Sequence, residues 1–215
     1  MGTHPGTTPG PQRGMREPAG QGGQEGREGR ERRREYYRLL DTAIGPLGIA
    51  WTGAGLTRLQ LPEADPMRTE KRLRAGTHFA AAWAGVSETP VVVTRLMADL
   101  LRYLAGEQVE FAAVTLDLSD VGPFHRRVYE AARAIGWGET TSYRELASRA
   151  GSPGAARAVG QALSQNPVAI VIPCHRILAS DGRLGGFSAH GGTSVKQRLL
   201  ALEGVRPVAP RLPGM

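Results

Sequence analysis

The chain has 215 residues and a formal net charge of +7, and Cys174 is its only cysteine. That length suits one large domain or two small ones, each able to bury a modest core. A lone cysteine rules out an internal disulfide and a paired-cysteine zinc staple. No apolar run approaches the roughly twenty residues of a membrane span and the N-terminus lacks an apolar core, so a soluble cytoplasmic protein with no metal or cofactor is expected.

Charge is unevenly spread: residues 1–35 carry a net +2, residues 36–120 a net −2 and residues 121–206 a net +6. The basic last part points to a polyanion partner. A merely arginine-rich surface is the plain alternative, since Lys71 and Lys196 are the only lysines. Residues 1–35 are dominated by Gly, Pro, Gln, Glu and Arg, with no aliphatic side chain larger than Met15. They cannot bury enough surface to fold and are expected to form a disordered tail whose charged end, Arg30 to Glu35, begins a helix. Residues 207–215 are expected to form a second disordered tail.

Residues 36–120 read as a structural α/β unit. Short strands are predicted over 42–50, 55–61 and 109–118, with turns at Gly45-Pro46 and Thr52-Gly53-Ala54-Gly55. Leu96, Leu100, Leu101 and Leu104 fall at helical spacing and predict a helix over 91–104. No nucleophile, base and orienting group cluster in this stretch.

From residue 121 to 206 the pattern turns helical. Phe124, Val128, Tyr129 and Ala132 mark one helix face that ends at Gly136-Trp137-Gly138. Ser142 reads as an N-cap with Glu145 completing a capping box, and that helix runs to Ala150. Gly151-Ser152-Pro153-Gly154 breaks it, and a second helix runs to Gln165, giving a helix-turn-helix candidate. The second helix is small-sided around Ala156, Ala158 and Gly160, so its backbone can approach a surface closely, with Arg157 as its exposed cation. An apolar strand, Val168 to Ile172, then leads into Pro173-Cys174-His175-Arg176. A free thiol titrates near about 8.5, and cationic Arg176 and the His175 imidazole are the kinds of neighbour that lower it. The two side chains can cooperate only if the backbone turns after Pro173. An isolated cysteine is otherwise a small buried hydrophobe.

The ordered run of motifs resembles the O6-alkylguanine-DNA alkyltransferases, the methylated-DNA–protein-cysteine methyltransferase family. The matching residues are Gly138-Glu139-Thr140-Thr141-Ser142-Tyr143, Ala156-Arg157-Ala158-Val159-Gly160, Asn166-Pro167 and Val171-Ile172-Pro173-Cys174-His175-Arg176. Ser180 to Phe187, Lys196, Leu199-Leu200 and Glu203-Gly204 complete the match. The resemblance implies an α+β fold, with a small N-terminal ribonuclease-H-like α/β domain and a mainly helical C-terminal domain carrying the helix-turn-helix. It implies that Cys174 accepts an alkyl group from O6 of guanine (or O4 of thymine) in one irreversible turnover, with His175 as base through a water and Glu203 orienting it. Tyr143 and Lys196 would polarise the guanine and Asn166 would hold the turn. Arg157, Tyr143, Ala156 and Ser180 would contact DNA around a flipped base, which the chemistry requires because a stacked guanine cannot reach a buried thiol. Phe187, Ser188 and Gly191 would line the substrate pocket. The expected partner is double-stranded DNA containing O6-alkylguanine, bound by a monomer that is nucleoid-associated if the source is a prokaryote.

Two departures stand out. Ala189-His190 reads as a two-residue insertion before Gly191-Gly192, and Phe187 stands where tyrosine is common in the family. Two other readings compete with alkyl transfer. One is a non-catalytic lesion-binding protein of the alkyltransferase-like type, against which Cys174 itself argues. The other is a cysteine hydrolase, for which no oxyanion loop is evident.

Overall fold

The computed structural model describes residues 1–2, 34–76, 81–187 and 189–208. An antiparallel meander opens the fold: β1 Tyr36–Leu40, β2 Leu47–Thr52 and β3 Gly55–Gln60, paired as Leu40 with Leu47 and Thr52 with Gly55. The turn between β1 and β2 closes through Thr42, whose hydroxyl donates to the Gly45 carbonyl at 2.5 Å. This turn interrupts the strand expected over 42–50. Helix α1, Pro66–Ala75, follows, capped by Asp65, whose carboxylate accepts from Arg68 N at 2.7 Å. Strand β4, Ala82–Trp83, then pairs parallel to β1, giving the order β3-β2-β1-β4. Helix α2, Val91–Leu104, takes the predicted span and buries Val93, Leu96, Leu100, Tyr103 and Leu104.

Several expectations give way here. Glu35 is not tail: it is buried, accepts a hydrogen bond from Thr57 Oγ1 at 2.5 Å, and leads directly into β1 rather than a helix. The two expected tails fall largely on residues 3–33 and 209–215, which lie outside the described residues; Val208 N donates to Gly182 O at 3.1 Å. The 109–118 stretch forms no strand. It laces to β3 by single rungs, Leu56 N to Thr115 O and Asp117 N to Leu56 O, both 2.9 Å.

The second half carries α3 Pro123–Arg133, β5 Thr141–Ser142, α4 Tyr143–Arg149, α5 Ala156–Ser164, a 3-10 turn over Cys174–Arg176, β6 Ile177–Leu178 and α6 Thr193–Leu202. Ser142 caps α4 as predicted, accepting from Glu145 N at 3.1 Å. Gly151 and Gly154, at φ 69° and 87°, supply the left-handed backbone that separates α4 from α5. β5 and β6 pair in parallel and bring the start of α4 beside the chain leaving the 3-10 turn.

Residues 168–172 are not the expected strand. They coil tightly, with Val171 N bonded to Ala169 O at 2.8 Å and Ile172 N to Val168 O at 2.9 Å. Ile170 sits at φ 68°, a costly conformation for a β-branched residue. Asn166 clamps the coil, with Nδ2 donating to Ile172 O at 2.8 Å and Oδ1 accepting from Val168 N at 2.9 Å. β3 clamps it from the other half of the molecule, through Leu59 N to Pro167 O at 2.9 Å and Ala169 N to Leu59 O at 3.2 Å. One continuous core runs from Leu47 and Ile49 through Tyr103 and Tyr129 to Cys174 and Leu199.

Candidate active site

The coil delivers the chain to Pro173, after which the backbone turns, as cooperation between the next two side chains requires. Cys174, His175 and Arg176 occupy the 3-10 turn, and all three are buried. His175 Nε2 lies 2.9 Å from Glu203 Oε1 at the end of α6. A carboxylate only accepts, so Nε2 carries the proton and Nδ1 carries the lone pair. Nδ1 is buried and has no hydrogen-bond partner among the described residues. Burial pushes the His175 imidazole below its ordinary range against the pull of Glu203, leaving a neutral ring with an open basic nitrogen.

Arg176 does not serve the thiol as the tetrapeptide suggests. Its guanidinium forks onto Glu203, with Nε to Oε2 and Nη2 to Oε1 both at 2.9 Å, while Nη1 donates to Ile135 O. Burial alone would raise the Glu203 carboxyl, but hydrogen bonds from His175, Arg176 and Tyr103 overcome it and hold the group at about 2. The thiol itself moves opposite to expectation. Burial pushes Cys174 up, and the Asn166 carboxamide, the Lys196 ammonium and the nearby backbone N–H groups offset this only in part. The resting pair is therefore a protonated thiol and a neutral imidazole, a nucleophile in reserve.

Lys196 is fully buried on α6; Nζ donates to Ile177 O at 2.5 Å and lies 5.7 Å from the centre of the Tyr143 ring. Burial lowers its ammonium to about 8, and a thiolate at Cys174 would raise it. Tyr143, the first residue of α4, reaches over Gly185, where an added Cβ would meet the phenol oxygen at 2.7 Å. Tyr143 borders a cavity of about 530 Å³, lined also by Ala156, Arg157, Gly160, Cys174 and Phe187 among others. The thiol lies at its wall, and Arg157 stands exposed on α5 at its edge. A second cavity of about 320 Å³ meets Cys174 from the side of β3 and α1, between Gln60, Asn166, Phe187 and Ala189. The Ala189-His190 insertion spans toward the first half here, with His190 Nδ1 3.7 Å from Glu63 Oε2.

Of the residues singled out in the sequence, Cys174, His175, Glu203, Asn166, Lys196 and Tyr143 come together, with Ala156, Arg157 and Phe187 on the larger cavity. Gly191 is not on either cavity wall; at φ 84° it turns the chain into α6. Ser180 is exposed and lies off both walls, beside the Asp181–Arg183 ion pair. Ser188 lies outside the described residues. Tyr103 was not singled out. Its hydroxyl donates to Glu203 Oε1 at 2.7 Å and lies 3.2 Å from His175 Nε2. In the sequence it is one more large residue on the buried stripe of α2, and only its hydroxyl, which needs a partner when buried, could have marked it.

Known proteins resemble this chain in sequence and in fold. Residues 123–205 match the family model for the DNA-binding domain of 6-O-methylguanine DNA methyltransferase. The chain is 41% identical over 176 residues to the methylated-DNA–protein-cysteine methyltransferase of Mycobacterium tuberculosis, covering 81% of this chain and 95% of that protein. It is similar to the crystal structure of the M. tuberculosis O6-methylguanine methyltransferase, at 40% identity and a TM-score of 0.63 over 82% of this chain and 96% of that one. A structure of the M. tuberculosis protein in complex with DNA is matched at 39% identity and a TM-score of 0.64, over 78% of this chain and 92% of that one.

Proposed function

This chain belongs to the methylated-DNA–protein-cysteine methyltransferase family, and from that premise we propose that it repairs DNA directly by moving the alkyl group of O6-alkylguanine onto Cys174. The observation that carries the reading is the buried Cys174 thiol on the wall of the 530 Å³ cavity, beside a neutral imidazole whose Nδ1 is open. The thiol proton passes to His175 Nδ1 through a bridging water, and Glu203 stabilises the imidazolium through Nε2. The sulfur then attacks the alkyl carbon: the S–C bond forms, the C–O6 bond breaks, and its electron pair leaves with the guanine, which takes up one proton. Tyr143 donates toward the purine as charge develops, and Lys196, close to the Tyr143 ring, supports that polarisation.

The base must leave the stack to reach this cavity. Arg157, exposed on small-sided α5, takes the vacated place in the stack. The net +6 of residues 121–206 supplies the phosphate contacts. Cys174, His175, Glu203, Asn166, Lys196 and Tyr143 meet within one chain, which supports action as a monomer. The thioether has no route back to thiol, so each molecule reacts once.

The test is transfer of radiolabel from duplex DNA bearing O6-[methyl-³H]guanine, with the label mapped by peptide digestion. Label should reach Cys174 and saturate at one equivalent, and Cys174→Ala should bind the lesion without taking label. Binding by the native protein without transfer, or label elsewhere, would sink the proposal.

A further inference from the structure

The residues proposed for the chemistry above all belong to the C-terminal half, and the matched DNA-binding domain begins only at residue 123. Tyr103 breaks that division. It is the next-to-last residue of α2, it is fully buried, and its hydroxyl enters the His175–Glu203 pair from the other half of the molecule. Two edge-on ring contacts fix it there, with Phe111 at 5.6 Å and Trp137 at 5.4 Å between centroids. Glu203 Oε1 thereby accepts from three groups at once: Tyr103, His175 and Arg176.

We infer that Tyr103 is a positioning residue for alkyl transfer, contributed by the N-terminal half, which sets the orientation and basicity of His175 through Glu203. A third donor on Oε1 draws charge from the carboxylate and weakens its hold on the imidazole proton, while Glu203, still accepting from Nε2, keeps Nδ1 the free nitrogen. Burial, and then the Glu203 charge, raise the Tyr103 phenol, so it stays protonated and remains a donor. The direction of control follows: the Tyr103 hydrogen bond lowers the Glu203 carboxyl, and Glu203 raises the imidazole. Removing the hydroxyl makes Glu203 more basic and shifts His175 upward, so the imidazole is lost as a base at higher pH.

The role rests on the alkyl-transfer reading, and native protein assayed in parallel separates the two: if the native protein fails to transfer, that reading falls, whatever Tyr103 does. The experiment is single-turnover transfer from duplex DNA containing O6-methylguanine, across pH 5 to 9, by the full chain carrying Tyr103→Phe. The rings stay packed in this variant. The saturating rate is expected to fall about tenfold and the acid limb to move to higher pH, with half-saturation by DNA unchanged. A second variant with 3-fluorotyrosine placed at position 103 keeps the hydroxyl and makes it a stronger donor, and its acid limb should move to lower pH. A folded Tyr103→Phe protein with native rate and native acid limb overturns the inference. So do equal limbs in the fluorinated and native proteins, which stay informative if the phenylalanine variant does not fold.

Discussion

Glu203 carries the largest electrostatic load in the site, because Arg176, His175 and Tyr103 all depend on it. Its carboxyl titrates at about 2 in the folded protein against an ordinary 4.5. A group whose folded value is depressed contributes stability that is complete above the ordinary value and is lost as pH falls toward the folded one. The window is therefore pH 4.5 down to about 2, and the size is about 3 kcal/mol. Glu203→Gln removes that contribution and leaves Arg176 buried without its counter-charge. Urea midpoints for the two proteins should differ widely at pH 6 and converge as pH falls toward 2; a constant gap would show that Glu203 is not the titrating group. The contiguous Cys174, His175 and Arg176 are legible in the sequence because their order is covalent. The partner of Arg176 is not, because nothing local distinguishes a guanidinium facing a thiol from one forked onto a carboxylate twenty-seven residues away. Tyr103 is still further from view, joined to Glu203 only by the packing of α2 against α6.

At the scale of elements, a helix is readable by chemical punctuation or by a dense apolar stripe, and the stripe alone marks α2. Ser142 with Glu145 starts α4, and Gly151 and Gly154 separate it from α5, because caps and left-handed glycines act within one turn of chain. α1 has punctuation at its start, Asp65 and Pro66, but it buries only Thr69 and Leu73, so its apolar stripe is too sparse to register. The coil at 168–172 reads as a strand because it is apolar throughout. Its backbone is satisfied by Asn166 and by β3, which no periodicity reports. α5 places Arg157 at the edge of the cavity and brings Gly160 within 3.8 Å, by its would-be Cβ, of the Tyr143 ring. If Arg157 fills the stack left by the flipped nucleotide, Arg157→Ala should slow transfer from duplex DNA at least tenfold and leave reaction with free O6-benzylguanine within about twofold. Equal losses on both substrates, measured as second-order inactivation rates, would remove the stacking role.

The two halves differ in composition and in net charge, −2 over residues 36–120 and +6 over residues 121–206, and the sequence invites a division into a structural domain and an active one. The packing joins them. The core is continuous from the sheet to α6, β3 is hydrogen-bonded on both sides of Val168, and the hydroxyl of Tyr103 sits in the C-terminal site. Opening the seam between them would expose Leu59, Tyr103 and Val168, all nearly fully buried, and would strand the Glu203 cluster with one donor fewer. Neither half can then lose its structure without cost to the other, and the whole should unfold as one cooperative unit. Trp51 lies in β2 and Trp137, just past α3, packs against Tyr103, so one reports the N-terminal sheet and the other the seam between the halves. Variants that keep one of these tryptophans, with the other and Trp83 replaced by phenylalanine, should give coincident urea transitions by fluorescence and by far-UV circular dichroism. A first transition seen by Trp51 alone would mean that the N-terminal sheet unfolds while the Tyr103–Trp137 contact persists, and would refute the single cooperative unit.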